Sequence, residues 1–136
     1  MHKYPQFSKQ DINWRTPEKF KEVLNNEFSF DFDPCPYKSS FNGLDIEWGQ
    51  SNFVNPPYGK DLVFWMRKAY LQSQKGKVVV CLVPARTDTE WWHRYALKAN
   101  EIRFIRGRLK FQGAKYNAPF PSCIIIFRGR GTTGAY

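Results

Sequence analysis

The stretch Phe53-Val54-Asn55-Pro56-Pro57-Tyr58-Gly59 joins a short apolar run to a stiff proline turn. Neither proline can donate to a sheet ladder or continue a helix, so the pair predicts that a buried strand ends at Val54. The residue before a proline is restricted to extended geometry. Asn55 is therefore expected in a sharp turn, with its side chain held at the carboxyl end of a strand.

This turn presents hydrogen-bond acceptors rather than donors, because proline has no backbone N–H. The Asn55 amide oxygen and the Pro56 carbonyl together suit a ligand that donates two N–H bonds, such as the exocyclic amine of adenine. Tyr58 adds a flat face on which a planar base can stack. Asn-Pro-Pro is also ordinary turn chemistry, so the motif alone leaves a catalytic and a structural interpretation open.

Helical and strand patterns alternate on both sides of the turn. Before it, Thr16 as N-cap and Pro17 as the first helical residue predict a helix over 17–26, and alternating phenylalanines predict a strand over 28–33. The later segments are a short extended piece at 44–48, helices at 61–74 and 88–99, strands at 78–83, 102–105 and 122–127, and a basic loop at 106–121. This order predicts an α/β fold whose mostly parallel sheet ends in a C-terminal antiparallel hairpin.

Ligands of such sheets bind at the carboxyl ends of the strands. Three loops are expected to share that edge, namely Asp33-Pro34-Cys35-Pro36, the Asn55 turn, and Pro84-Ala85-Arg86. A site built by three loops on one rim is more specific than any one of them. We therefore expect the functional site at this edge.

The length of 136 residues predicts a single domain, with a flexible arm at 1–13 and a flexible tail at 128–136. No apolar run is long enough to cross a bilayer and no leader pattern is visible, so a cytoplasmic location without membrane contact is expected. The three cysteines have neither zinc spacing nor an even number, which argues against a disulfide framework. The carboxylates form no obvious metal site, so we expect no metal and disfavour a nuclease.

The net charge of +9 is unevenly distributed along the chain. Residues 1–50 hold 6 basic and 8 acidic residues, residues 51–100 hold 8 and 3, and residues 101–136 hold 7 and 1. The basic excess begins where the proline turn begins. Together with the 18% aromatic content, this favours a nucleic-acid partner over a protein that is merely basic and soluble.

Several short motifs, in the same order along the chain, resemble the phage-type DNA N6-adenine methyltransferase family, the Dam-like enzymes of phages and prophages. They lie between about residues 14 and 127 and are Trp14-Arg15-Thr16-Pro17, Phe30-Asp31-Phe32-Asp33-Pro34-Cys35, Leu44 to Trp48, Phe53 to Gly59, Leu82 to Thr89 with Trp91-Trp92-His93, Phe104 to Phe111, and Ala118 to Ser122. The resemblance implies a Rossmann-like core that uses S-adenosylmethionine to methylate adenine N6 in DNA. It further implies that Asn55, Pro56, Pro57 and Tyr58 are the catalytic residues.

The resemblance also implies where the cofactor binds. We expect it to be held by Thr16 and Pro17 and by the loop after Asp33, including Cys35. Asp33 itself could accept from the hydroxyl groups or the ammonium group of the cofactor, and Asp45 or Glu47 is expected to hold its ribose by analogy with other nucleotide-binding folds. The chain departs from the wider methyltransferase class, because Asp33-Pro34-Cys35-Pro36-Tyr37-Lys38 stands where a glycine-rich loop is usual. A separate target-recognition domain is not expected in a chain of this length. Specificity would then come from the basic loop, a homo-oligomer or a recognition partner.

Adenine N6 is a poor nucleophile because its lone pair is delocalised into the ring. Acceptors at the Asn55 side chain and the Pro56 carbonyl would favour a pyramidal nitrogen, with the flipped-out base stacked on Tyr58 and transfer in line. The basic residues expected to contact DNA phosphates are Lys60, Arg86, Arg106, Arg108 and Lys110. Two alternatives remain open: a non-enzymatic DNA-binding module, and a methyltransferase of the same type that acts on RNA or on a protein glutamine.

Overall fold

The computed structural model describes residues 15–129. The arm predicted at 1–13, Trp14, and positions 130–136 of the predicted tail lie outside the described residues. Arg128, where that tail was expected to start, is anchored: its backbone N–H donates to Asn100 Oδ1 at 2.7 Å and its Nη2 donates to Glu101 Oε1 at 2.7 Å.

Three helices and four strands make up the described part of the chain. The helices are α1 (Glu18–Phe28), α2 (Leu62–Ser73) and α3 (Glu90–Arg94). There are also two 3₁₀ turns, Gly43–Asp45 between α1 and α2 and Ala96–Lys98 after α3. The strands are β1 (Ser51–Val54), β2 (Val78–Pro84), β3 (Glu101–Phe104) and β4 (Ser122–Phe127). The mixed α/β class is therefore confirmed, and the architecture is compatible with a methyltransferase-like core.

The strands form one sheet in the order β1-β2-β4-β3. Strands β1 and β2 pair in parallel, with Val54 opposite Cys81. Strand β4 runs back between β2 and β3 and pairs antiparallel with both. The predicted C-terminal antiparallel hairpin is confirmed, but a mostly parallel sheet is not, because two of the three strand pairings among the described residues involve the reversed strand β4.

Both faces of the sheet are covered, as the unbroken apolar pattern of β2 and β4 requires. Alternate residues of β2 point to opposite faces, so Cys81 and Val83 pack with α2 and α3, whereas Val80 and Leu82 pack with α1 and the loop that follows β3. We call these the helical face and the loop face. On the loop face, Phe111 and Phe120 are buried with Leu24 of α1.

The strand predicted over 28–33 is wrong. Phe28 is the last residue of α1, and Ser29 ends that helix in a left-handed conformation with φ of 51°. Only Phe32 forms an isolated parallel bridge, with Asn52 of β1. The Asp31 carboxylate accepts from the backbone N–H of Ser51 at 3.1 Å, so a side chain rather than a backbone carbonyl binds this N–H of β1. The segment therefore follows β1 without becoming a regular strand.

Two other predicted elements also differ from the structure. The helix predicted over 88–99 divides into α3 and the second 3₁₀ turn, and Tyr95 between them has φ of −121° and ψ of −49°, outside helical values. Thr89 caps α3, and its hydroxyl accepts from the backbone N–H of Trp92. The extended piece predicted over 44–48 instead begins with the first 3₁₀ turn, which Asn42 caps. Among residues 15–129, no helix has the length and apolar character needed to cross a bilayer.

Candidate active site

Strand β1 ends at Val54, and Asn55 follows it as a buried polar residue, 4% exposed. The chain then turns through the two prolines, and Gly59 has φ of 111°, a conformation that side chains with a Cβ rarely adopt. The proline pair and the glycine together direct the turn away from the sheet. The expected position of Asn55 at a strand end is confirmed.

The side-chain amide of Asn55 is hydrogen-bonded at both ends. Its Nδ2 donates to Thr16 Oγ1 at 3.0 Å, and its Oδ1 accepts from the Tyr58 hydroxyl at 2.9 Å. The Tyr58 hydroxyl also lies 3.2 Å from the Leu82 carbonyl oxygen in β2, which offers its single proton a second acceptor. The amide is therefore held between the start of α1 and the neighbouring strand.

Burial raises the pKa of the Tyr58 phenol well above its ordinary value, because desolvation disfavours the phenolate. The group stays protonated at neutral pH and acts as a hydrogen-bond donor rather than as a base. Its ring makes edge contacts with Phe120 and Phe111, at centroid distances of 5.7 and 6.5 Å. The loop after β3 thus packs directly against the proline turn.

A cavity of about 700 Å³ lies beside this turn and includes Asn55 in its wall. The structure brings Thr16, Asp33 and Cys35 to the same cavity, although they come from the start of the described chain and from the segment after α1. Two of the three loops expected on one rim therefore meet here. Arg86, of the third loop, is exposed instead and lies 5.7 Å from the Phe120 ring.

The cavity wall is acidic, although the chain as a whole carries a charge of +9. Two cationic residues, Arg15 and Lys21, face the carboxylates Glu18, Glu22, Asp31 and Asp33. Asp33 Oδ1 accepts from the backbone N–H of Cys35 at 2.9 Å, and its Oδ2 lies 3.4 Å from Lys21 Nζ. The loop after Asp33 is thus closed by the Asp33 carboxylate itself.

An aromatic ring also borders the cavity. The Arg15 guanidinium lies 4.3 Å from the centroid of the Tyr37 ring, and both residues line the wall. Arg15 Nε is buried without a hydrogen-bond partner within the described part of the chain. The Arg15 carbonyl accepts from the Gln112 N–H at 2.7 Å, which ties this wall to the loop after β3. Arg15 belongs to the motif Trp14-Arg15-Thr16-Pro17, from which only Thr16 and Pro17 were predicted to hold the cofactor.

The remaining predicted cofactor residues lie elsewhere. Pro17, rather than Thr16, occupies the N-cap position of α1 and has no side-chain group that could cap it, whereas the Thr16 hydroxyl bonds to Asn55. Asp45 lies in the first 3₁₀ turn and outside the cavity wall. Glu47 binds the ammonium groups of Lys75 and Lys77 at 2.9 and 2.8 Å. The structure therefore supports no ribose contact for Asp45 or Glu47 at this cavity.

The five residues expected to contact DNA are all exposed: Lys60, Arg86, Arg106, Arg108 and Lys110. The last three belong to the loop after β3, whose buried Phe111 and Phe120 anchor it next to Tyr58. The loop that carries three of the basic residues thus packs against the proline turn through Phe111 and Phe120. Sequence reasoning did not identify this anchoring, because Phe111 and Phe120 carry no periodic pattern.

Two of the three cysteines, Cys81 and Cys123, offer no reactive thiol. All three are free and buried, and desolvation raises the pKa of Cys81 and Cys123, that of Cys123 to about 12. Cys81 and Cys123 thus serve as small apolar residues of the core. Among residues 15–129, no three His, Cys, Asp or Glu side chains gather closely enough to hold a metal ion.

The family with the description "DNA N-6-adenine-methyltransferase (Dam)" has a sequence profile that matches residues 5–128. The chain belongs to the Dam family. This Dam-family chain is also 28% identical over 109 residues to the DNA N-6-adenine-methyltransferase of Escherichia phage T1. The alignment covers 71% of the chain and 45% of that relative, so the chain spans about half the length of the curated relative it matches. No solved structure matches the chain significantly.

Proposed function

We propose that the chain transfers a methyl group from S-adenosylmethionine to the N6 amino group of an adenine in DNA. The observation that carries the proposal is the position of Asn55, which directly follows strand β1 and whose buried side chain forms part of the cavity wall. A methyl donor bound in the cavity and a target amine bound at the proline turn would therefore both lie next to the Asn55 side chain. Family membership supports the same chemistry.

The cavity suits S-adenosylmethionine by charge and by shape. When bound, this cofactor supplies an activated methyl group on a positively charged sulfonium. Carboxylates outnumber cations in the wall, which favours a ligand with positive groups and disfavours phosphates. Asp31 or Asp33 can accept from hydroxyl or ammonium groups, the Arg15 guanidinium can bind a carboxylate, and Tyr37 offers a ring for a base. The cavity of about 700 Å³ is of the size usual for such ligands.

At the turn, the Asn55 side-chain oxygen and the Pro56 carbonyl accept the two N–H bonds of the target amine in this proposal. Accepting both bonds would favour a pyramidal nitrogen and restore its lone pair for attack on the methyl carbon. The bond from that carbon to sulfur would break as the new bond forms, its electron pair would stay on sulfur, and the nitrogen would then lose one of its protons to water. A carbonyl oxygen accepts two hydrogen bonds, so Asn55 Oδ1 can hold the amine beside the Tyr58 hydroxyl. The hydroxyl can also turn to the Leu82 carbonyl at 3.2 Å.

The substrate class rests on charge and on the basic loop. The exposed Arg106, Arg108 and Lys110 lie on a loop that packs against Tyr58, so a phosphate backbone held there passes close to the turn. The target base would leave the duplex and stack on the half-buried Tyr58 ring. Duplex DNA bound in this way would meet the proline turn, whereas the acidic cavity repels its phosphates.

The test is transfer of labelled methyl from S-adenosylmethionine to mixed unmethylated DNA, by wild type, Asn55→Ala and the control Asn26→Ala. Asn26 is an exposed residue of α1 outside the cavity wall. We expect N6-methyladenine with wild type and the control, and at least a 100-fold loss with Asn55→Ala, the order of loss that misplacing a reacting group produces. DNA binding that survives Asn55→Ala, without any transfer by wild type, would leave only a DNA-binding module. Transfer to RNA or to protein glutamine instead of DNA would keep the chemistry and change the substrate.

A further inference from the structure

Thr16 stands at the start of α1 without capping it. Helix N-termini usually use such a hydroxyl to accept from their own backbone N–H groups. In this chain Pro17 occupies the cap position and makes no side-chain bond, while Thr16 Oγ1 accepts from Asn55 Nδ2 at 3.0 Å, 39 residues away in sequence. The hydroxyl is thus used on the catalytic turn rather than on its own helix.

The bond matters because the Asn55 amide is buried and oriented. With Nδ2 on Thr16, Oδ1 faces the Tyr58 hydroxyl, 2.9 Å away. Removal of the Thr16 oxygen would take this acceptor from a buried N–H, and a buried amide that loses a partner turns to find another. Such a rotation moves Oδ1 away from the place where it would accept from the target amine.

We propose that Thr16 is a positioning residue, which holds the Asn55 amide so that its oxygen faces the target amine. The inference rests on the proposed function of Asn55, and it gives Thr16 a role other than cofactor binding. Thr16 and Asn55 both line the cavity, and the Thr16 hydroxyl is engaged there by the Asn55 amide. The hydroxyl thereby sets the geometry of transfer without touching the reacting nitrogen.

The first experiment compares Thr16→Val, which keeps the shape and loses the acceptor, with Thr16→Ser, which keeps the hydroxyl. We expect Thr16→Val to lower kcat by about 10- to 100-fold while the Kd for S-adenosylmethionine changes less than about threefold, since small misplacements cost rates of this order. Thr16→Ser is expected to restore kcat to within about threefold of wild type. A loss confined to cofactor affinity, with kcat unchanged, would show that Thr16 is a cofactor ligand and overturn the proposal.

A double-mutant cycle with Asn55→Ala tests whether Thr16 acts through Asn55. In the Asn55→Ala background, Thr16→Val should leave the residual rate unchanged within about twofold, because the amide that it positions is gone. An unchanged multiplicative loss in both backgrounds would mean that the two side chains act independently. That result would also overturn the proposal.

A readout independent of methyl transfer separates this inference from the proposed function. The side-chain N–H₂ resonances of Asn55, assigned by their loss in Asn55→Ala, should exchange slowly with solvent in wild type and Thr16→Ser. They should exchange at least 10-fold faster in Thr16→Val, because the Asn55 amide opens to solvent more often once it has lost the Thr16 hydroxyl. Equal exchange in all three proteins would refute the positioning bond whether or not DNA is methylated, and a failed DNA assay with protected resonances would refute only the function.

Discussion

Lys77 is a buried lysine, 6% exposed, and its ammonium group joins three parts of the chain. Its Nζ donates to Gln72 Oε1 at 2.6 Å, to the Trp48 carbonyl at 2.8 Å and to Glu47 Oε2 at 2.8 Å. Lys77→Met keeps the apolar stem but removes all three bonds. We expect this substitution to destabilise the fold.

The size of the effect follows from what each acceptor keeps. Gln72 Oε1 still accepts from the Trp48 N–H at 3.1 Å, and Glu47 still binds the exposed Lys75. The Trp48 carbonyl loses the Nζ donor in a buried place, and an acceptor left in that state costs about 1–3 kcal/mol. The bonds made by the charged group are largely offset by its desolvation, so the net loss is expected to be about 1–3 kcal/mol.

The assay is equilibrium unfolding in urea, with Lys75→Met as a matched control. Lys75 binds the same carboxylate but its side chain is 55% exposed, so its removal should change the free energy of unfolding by less than about 0.5 kcal/mol. Equal unfolding free energies for the two variants would refute the reasoning, because the buried ammonium would then contribute no more than the exposed one.

Three further predictions concern the turn, the acidic limb of stability and DNA. Gly59→Ala should lower the free energy of unfolding by about 1–3 kcal/mol, because its φ of 111° strains any residue with a Cβ. The added Cβ itself would meet no atom within 4 Å, so the backbone strain is the whole effect. An unchanged melting temperature would contradict this prediction. Hydrogen bonds from Lys75 and Lys77 lower the pKa of Glu47 to about 2, so its stabilising effect is complete above pH 4.5 and disappears as the pH falls towards 2. Glu47→Gln should therefore melt below wild type at pH 7 but level with it near pH 2, and a constant difference across that range would count against the ion pairs. Replacing Arg106, Arg108 and Lys110 together by Gln should reduce the steepness of the fall of log affinity for DNA with log salt concentration by about 3. The control is Arg67→Gln on α2, a helix that packs on the helical face, and it should leave this slope unchanged.

The strongest local patterns predicted their elements well. The apolar run of β2, the stripe of α2 and the strand β4 were all expected within a residue or two of their observed bounds. The position of Asn55 followed from the stereochemistry of two prolines. The phenylalanine alternation over 28–33 misled, because Phe28 belongs to α1, whereas Phe30 and Phe32 pack against opposite faces of the sheet on a segment that forms a single isolated bridge.

Parts of the site depended on contacts between distant residues. Thr16 was expected as a helix cap and a cofactor residue, but its hydroxyl bonds to Asn55. Glu47 was an alternative for the ribose, but two lysines beyond α2 hold it. The contributions of Arg15 and Tyr37 to the cavity wall were not predicted, although both belong to segments expected to hold the cofactor, because a local pattern does not show which side chains of a loop face a cavity.

The sequence by itself determined the mixed α/β class, the strand end at Val54, the stiff turn at Asn55 and the basic character of the last two thirds. These features follow from short-range sterics, side-chain periodicity and charge, all of which depend on residues that are close together in the sequence. Only the tertiary structure decided that β4 returns between β2 and β3, that an acidic cavity opens beside a basic surface, and that Thr16 holds Asn55. A hydroxyl has several acceptable partners, and which of them it meets depends on how the whole chain packs.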